Sequence, residues 1–277
     1  MIIVIQCKDR VGLVAAIAGL MAAEQINIVS MREYVDTVEE LFFARVQVQE
    51  QEHLNGDDLK KKLQAVLPLD AQVKVNPLPE KKLAVLVTKE YHCLSDILVR
   101  NHFKTLGASV QCVVGNHAML GDLCQRFEVP FHLVSHEGKP KEAFEAELLQ
   151  TLSPYHFDFI ALAKFMRILS PQFVSNYLGK IVNIHHSFLP AFIGANPYRQ
   201  AFDRGVKLIG ATAHFVTNDL DEGPIIAQQI IPVSHSFSAL DMMRAGKEIE
   251  TAVLAKALNL VFEDRVFVYK NKTVVFE

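Results

Sequence analysis

The stretch from Ile181 to Ala201, IVNIHHSFLPAFIGANPYRQA, opens like an apolar strand and closes like a helix, and it sets an amide, two imidazoles and a hydroxyl between them. Asn183 and His185 are two apart, so on an extended segment both side chains project to one side, while His186 points elsewhere. An asparagine amide is an uncharged donor that can hold a carbonyl oxygen as it becomes an oxyanion, and an imidazole titrates close enough to neutrality to give or take a proton. Together they suit attack on an acyl carbon. A carboxylate is needed to orient the imidazole and handle the nucleophile's proton, and HFVTNDLDEGPIIAQQ offers Asp219, Asp221 and Glu222. Spacing does not choose among the three. No metal is expected at His185 and His186, because strand neighbours face apart and no HExxH motif or cysteine cluster accompanies them. His214, inside an apolar strand, reads as a hydrogen-bonded core residue.

Positioning such groups requires a scaffold, and the pattern of the chain predicts two. The first seventy-odd residues read as strand, helix, strand, strand, helix, strand, a βαββαβ order that makes a four-stranded ferredoxin-like sheet with both helices on one face. The segment NPLPEKK, from Asn76 to Lys82, concentrates proline and charge, which places the boundary between a domain at 1–77 and another at 83–277. Beyond it, LAVLVT, SVQCVVG, FDFIALA and KIVNI are short apolar runs separated by helical segments such as Leu94 to Phe103, Met119 to Phe127 and Glu142 to Leu152. Apolar strands alternating with helices predict a Rossmann-like α/β domain around a mostly parallel sheet. Two longer strands, a helix from about Ser238 to Leu258 and a hairpin centred on Lys-Asn-Lys close the chain. Ligands of such sheets bind beyond the carboxyl ends of the strands, where KIVNIHH terminates.

Composition narrows the partners. Half of the 277 residues are hydrophobic and the formal net charge is -3, without the basic footprint that nucleic acid requires. Four scattered cysteines, Cys7, Cys93, Cys112 and Cys124, suit reduced thiols and hence the cytoplasm. The apolar N-terminal run is broken by Gln6, Lys8, Asp9 and Arg10 and reads as a strand, not a signal peptide, and no stretch approaches the ~20 apolar residues of a membrane span. A small-molecule partner is expected.

NIHHSFLPAFIGANPYRQA, LAKFMRILSPQF and GATAHFVTNDLDEGPIIAQ resemble the folate-dependent formyltransferase fold, and the doubled histidine with FIGANPY resembles its formyltetrahydrofolate deformylase branch. TKEYHCLSDIL, VVGNH, FHLVSHEG, DMMRAG and RVFVY carry the similarity over nearly the whole chain. The resemblance assigns the chemistry to Asn183, His185 and Asp221. It also implies that the pterin ring is held partly by main-chain groups at Met166, Arg167, Ile168 and Leu169, with the loop Val216 to Asp221 closing the other side. It implies hydrolysis of 10-formyltetrahydrofolate to tetrahydrofolate and formate, in the service of one-carbon and purine metabolism, with no prosthetic group. In the scheme it suggests, Asp221 deprotonates or orients water while Asn183 and protonated His185 stabilise the oxyanion.

The same resemblance leaves transfer to an amine as the alternative. The purine-pathway transferases of this fold cradle the acceptor's phosphate in a glycine-rich loop after the first α/β strand, and here that place holds VTKEYHCLSD, without a glycine. Side chains on every residue obstruct a phosphate from backbone amides, which favours water. His186 stands where the transferases have proline, and a part in placing water is its expected role. The N-terminal unit, with CKDRVGLVAAIAGLM and INIVSM, resembles an ACT domain. That implies a small amino-acid effector held at Asp9, Arg10, Gly12 and Asn27, or pure oligomerisation, and in either case a homo-oligomer. A non-enzymatic amino-acid sensor that merely retains folate binding is the third reading, and the complete Asn183, His185 and Asp221 set argues against it.

Overall fold

The computed structural model describes residues 1–49, 55–76, 80–190 and 197–277. The expected linker residues 77–79 and most of the FIGANPY motif lie outside the described residues. The chain divides into two compact units, one of Met1–Pro79 with Glu263–Phe267 and Phe276–Glu277, the other of Glu80–Phe262 with Val268–Val275.

The first unit runs β1 (Ile2–Lys8), α1 (Leu13–Ala23), β2 (Ile28–Asp36), β3 (Leu41–Val48), α2 (Gly56–Val66) and β4 (Gln72–Asn76). Its four strands order as β2-β3-β1-β4, each neighbour antiparallel. Leu13, Ile17 and Met21 of α1 and Leu59 and Leu63 of α2 share one core with Ile3, Ile5, Ala44 and Val46, so both helices cover the same sheet face. Each of the larger of these side chains, fully withdrawn from water, contributes about 1.5–3 kcal/mol. Asn55 caps α2 by accepting from the backbone N–H groups of Asp57 and Asp58.

Residues from 83 onward are expected in the second domain, yet Glu263–Phe267 groups with the first unit. Side chains explain it: Arg45 Nε donates to the Glu263 carbonyl at 2.9 Å, Asn76 donates to the Asp264 carboxylate at 2.6 Å, and Phe267 packs edge-on against Phe43. Periodicity says nothing about such long-range returns.

The second unit continues with β5 (Lys81–Val87), α3 (His92–His102), β6 (Ala108–Gly115), a 3₁₀ turn (Ala118–Leu120) running into α4 (Gly121–Arg126), β7 (Phe131–Leu133), α5 (Lys141–Leu152), β8 (Phe159–Ala163), α6 (Pro171–Ser175) and β9 (Ile181–His185). Then come α7 (Pro197–Asp203), β10 (Leu208–Phe215), β11 (Ile225–Pro232), α8 (Ala239–Phe262), β12 (Val266–Tyr269) and β13 (Lys272–Val275). Seven strands form one sheet in the order β11-β10-β9-β8-β5-β6-β7. The five from β9 to β7 are parallel, and β10 and β11 add antiparallel at one edge. The apolar runs of β5 and β9, and of β8 from Ile160 to Ala163, are buried, as strands covered on both faces require. The helix expected to end near Leu258 continues to Phe262, and the closing hairpin turns at Lys270 and Asn271 as expected. The three-residue β7 and five-residue α6 are too short to produce a periodic signal.

Candidate active site

Asn183 lies on β9 directly opposite His214 on β10, and side chains facing each other on one side of an antiparallel pair meet. Asn183 Nδ2 is 3.2 Å from His214 Nε2. The other ring nitrogen, Nδ1, is 2.9 Å from the Phe215 carbonyl oxygen, which can only accept, so Nδ1 carries a proton. In the neutral ring Nε2 is then an acceptor and takes an N–H from the Asn183 amide. This fixes which way round the amide stands. His214 is a buried, hydrogen-bonded strand residue as expected, but what it bonds is the asparagine of the site. What joins it to the site is the β9–β10 register, which no local pattern encodes.

His185 ends β9, with Nδ1 at 3.3 Å from Asp221 Oδ2. Its Nε2 is buried and has no hydrogen-bond partner among the described residues, so a buried donor or acceptor is available at this point of the site. Asp221 Oδ1 stands 3.7 Å from His214 Nε2, so the carboxylate sits between the two imidazoles. Burial alone would raise the proton affinity of Asp221, but its contact with His185 prevails and holds the carboxyl far below the usual carboxylate range. Asp221 is therefore ionised at neutral pH. Of the three acids left open by spacing, it is the one paired with an imidazole.

The loop between β10 and β11 holds the carboxylate in place. Asp221 has φ 57, in the left-handed region that aspartate tolerates better than most residues and that concentrates at functional sites. Phe215 donates its N–H to the Pro224 carbonyl, Thr217 Oγ1 donates to the Asp219 carbonyl, and Asn271 in the β12–β13 turn donates to the Glu222 carbonyl at 2.8 Å. Gly223 allows this closure, because a Cβ there would lie 1.7 Å from the Phe215 oxygen. A register shift between β10 and β11 falls at His214, the kind of bulge that re-aims side chains beside active sites.

Asn183, His185, His186, His214 and Asp221 open onto one cavity of about 340 Å³ at the carboxyl ends of β8 and β9. Met166, Arg167, Ile168 and Leu169 line it from the loop after β8, and Val216 and Leu220 line it from the loop after β10. Met166, Ile168 and Leu220 are more than half exposed and give the cavity apolar walls, as a site for a planar ligand has. The loop after β8 is tied at both ends. Met166 N–H donates to Thr88 Oγ1 at 2.8 Å, and Ser170 N–H donates to the buried Glu145 carboxylate at 2.7 Å while its hydroxyl caps α6. The segment Phe165 to Ser170 is therefore held as a loop.

His186 lies one residue past the end of β9, where strand alternation no longer applies. Its ring does not point away from the site: it stacks on that of His185 with centroids 4.9 Å apart. Burial, and then the nearby Lys164 ammonium and His185, push its pKa down to about 4, so it is neutral at neutral pH.

In the first unit, Gly12 precedes α1 with φ 94, Asp9 donates its N–H to the Glu40 carbonyl, and Asn27 Nδ2 reaches Gln49 Oε1 at 3.5 Å. Arg10 is exposed in the same β1–α1 turn. Cys7, Cys93, Cys112 and Cys124 are free and buried. Among the described residues no helix is long and apolar enough to cross a membrane.

Residues 81–258 match the formyl transferase family and residues 1–65 the ACT domain family. The chain is 46% identical to a formyltetrahydrofolate deformylase of Haemophilus influenzae over 274 residues, 99% of this chain and 98% of that one. A crystal structure of a formyltetrahydrofolate deformylase from Pseudomonas syringae superposes with a TM-score of 0.94 at 38% identity, covering 100% of this chain and 94% of the other. Glycinamide ribonucleotide transformylase 1 from Symbiobacterium toebii superposes with a TM-score of 0.68 at 30% identity, covering 72% of this chain and 95% of that one. With an ACT unit ahead of a formyl transferase unit and likeness along its whole length, the chain belongs to the formyltetrahydrofolate deformylase family.

Proposed function

We propose that the protein hydrolyses 10-formyltetrahydrofolate to tetrahydrofolate and formate, and that Asn183, His185 and Asp221 carry the reaction. The observation that supports it is the convergence on one cavity of an amide, an ionised carboxylate and an imidazole whose Nε2 has no partner among the described residues. The pterin lies against Met166, Arg167, Ile168, Leu169 and Val216, with the formyl group toward His185. Asp221 keeps a proton on His185 Nδ1, and the imidazolium Nε2–H together with the free Asn183 N–H receives the formyl oxygen as it becomes an oxyanion.

Water adds to the formyl carbon. A carboxylate of such low proton affinity is a poor base toward free water. It takes a proton readily once the new C–O bond has made the attacking oxygen an oxonium. The protonated Asp221 is then a strong enough acid to protonate N10, the C–N bond breaks, and formate leaves. Neutral His186, stacked on His185, accepts from the water and places it. None of these steps calls for a prosthetic group or metal, and the folate is the substrate.

The test is direct. Enzyme incubated with 10-formyltetrahydrofolate and no acceptor releases formate at a catalytic rate; strict dependence on an added amine would establish the transferase reading instead. The wider role is to balance one-carbon pools in the cytoplasm and feed purine synthesis.

The unit of Met1–Pro79 with Glu263–Phe267 and Phe276–Glu277 is the regulatory or oligomerisation unit, and the unit of Glu80–Phe262 with Val268–Val275 is the catalytic one. A small amino acid binds through its carboxylate at the α1 N-terminus, with Asp9, Arg10, Gly12 and Asn27 around it, and copies pair through the edge of the four-stranded sheet. Calorimetry with a panel of amino acids and the sedimentation of the intact chain check these two points.

A further inference from the structure

A second group of buried polar side chains adjoins the site and takes no part in the hydrolytic steps. Glu250 on α8 is 1% exposed. It accepts a hydrogen bond from the Tyr198 hydroxyl at 2.6 Å, contacts His92 Nε2 at 2.8 Å and pairs with Lys164 Nζ at 3.1 Å. Tyr198 is admitted by Gly246, one turn before Glu250 on the same helix face: a Cβ at that glycine would lie 2.1 Å from the tyrosine Cζ. Lys164 leaves β8 with φ 61, a conformation costly for a side-chain-bearing residue, and lines the reaction cavity beside His186. The Tyr198 ring lies 6.4 Å from that of His186, which in turn stacks on His185. The group therefore stands behind the flank of the cavity that His185, His186 and Lys164 form.

Two simpler accounts of the group fail. His92, Cys93 and Glu250 have ligand atoms within 4.8 Å of one another, a possible cation site. However, the Lys164 ammonium occupies the same carboxylate and would repel a metal ion. A role in stability alone is also weak, because a buried ionic cluster is commonly no more stabilising than apolar residues of the same volume. What the group does supply is occupied, rigid space. Tyr198 is pinned at its hydroxyl by Glu250 and along its ring by the glycine notch, with Glu250 held in turn by His92 and Lys164.

We propose that Tyr198, seated in the Gly246 notch and anchored on Glu250, is a plug that excludes acceptors larger than water from the His185 flank of the formyl carbon, and so makes the reaction a hydrolysis. This rests on the hydrolytic reading above and deepens it. The fold itself does not select the acceptor, since a protein named a transformylase shares it at a TM-score of 0.68. Selection by filling space against the wrong partner is a general device of specificity. With the plug removed, a small primary amine attacks in place of water. Its nitrogen bonds to the formyl carbon, the bond from that carbon to N10 breaks, and the proton shed by the amine passes through Asp221 to N10.

The experiment uses the full-length protein, 10-formyltetrahydrofolate and glycinamide, with formate and formylglycinamide quantified by mass spectrometry. Wild type and Tyr198→Phe, which keeps the ring, are expected to give formate alone with or without amine. Tyr198→Ala, which leaves Glu250 paired with His92 and Lys164, and Gly246→Ala, whose methyl drives the ring from its notch, are each expected to divert at least a tenth of turnover to formylglycinamide. Formate as the sole product of both opened variants would overturn the plug. So would loss of both products in both variants while folate still binds, since that would place Tyr198 in the reaction itself. Failure of the wild type to release formate without amine would instead sink the hydrolytic reading, which keeps the two failures distinct.

Discussion

His185 Nδ1 and Asp221 Oδ2 stand 3.3 Å apart, although one ends a parallel strand and the other sits in the loop that joins two antiparallel ones. The sheet edge makes this possible. Because β10 returns antiparallel beside β9, its carboxyl end carries the chain back over the start of β9, and the following loop folds its carboxylate across the imidazole. The pairing makes Asp221 an anion and leaves His185 Nε2 without a hydrogen-bond partner among the described residues.

Removing that charge tests the pairing. Asp221→Asn keeps the shape and the left-handed backbone but cannot shuttle the proton, so kcat is expected to fall by about 10²–10⁴ while the folate still binds. Equilibrium binding and steady-state hydrolysis together check this, and a near-normal rate would remove Asp221 from the scheme.

The His214–Asn183 contact predicts a coupled effect. Asn183→Ala removes an oxyanion donor and is expected to lower kcat by about 10²–10³, with little change in KM. His214→Ala releases the amide from its orientation and costs less, about tenfold. Because both act on one group, the double variant is expected to be no slower than Asn183→Ala alone. Additive losses would mean that His214 acts independently of the amide.

Acid weakens the fold in two stages. His186 has a folded pKa of about 4, below the ~6.5 of an unfolded histidine, so the unfolded chain binds the extra proton between those values. Stability is full above about pH 6.5 and declines as pH falls through this window, by on the order of 1–3 kcal/mol. Glu250 follows the same sign lower down. Burial opposes its ionisation, but His92, Lys164 and Tyr198 outweigh that and bring it to about 2, so its contribution is present above the ordinary glutamate range and disappears toward that value. Urea unfolding of wild type and His186→Gln across pH 7 to 4 separates the stages: the variant is expected to lose most of the upper slope, and an unchanged slope would show that His186 is not its source.

Gly223 has no room for a side chain against the Phe215 carbonyl. Gly223→Ala must open the turn that carries Asp221, at an expected cost of about 1–3 kcal/mol and at least a tenfold loss of kcat. Wild-type thermal stability and rate in this variant would show that the loop can close without the glycine.

The two scaffolds were legible because period carries them: the βαββαβ order, the continuous apolar strands and the Lys-Asn-Lys hairpin all follow from local pattern. Asn183 and His185 were legible as a pair because strand alternation puts them on one side. Three features were not legible, and each for a physical reason. His214 joins the site through an inter-strand register that no local pattern encodes. His186 stacks on His185 because the strand ends between them, and strand ends are poorly fixed by sequence. The Glu250 cluster gathers residues from α3, α7, α8 and the end of β8, a coincidence of tertiary packing alone.

The central claim is that a solvent molecule, held among Asp221, His185 and Asn183, is the nucleophile. Hydrolysis of 10-formyltetrahydrofolate in ¹⁸O-enriched water, without any amine, measures it most directly. The account predicts that formate from a single turnover carries one solvent oxygen and that Asp221→Asn abolishes its rapid appearance. Formate that forms only after an amine is supplied, or at the same rate without Asp221, would contradict it.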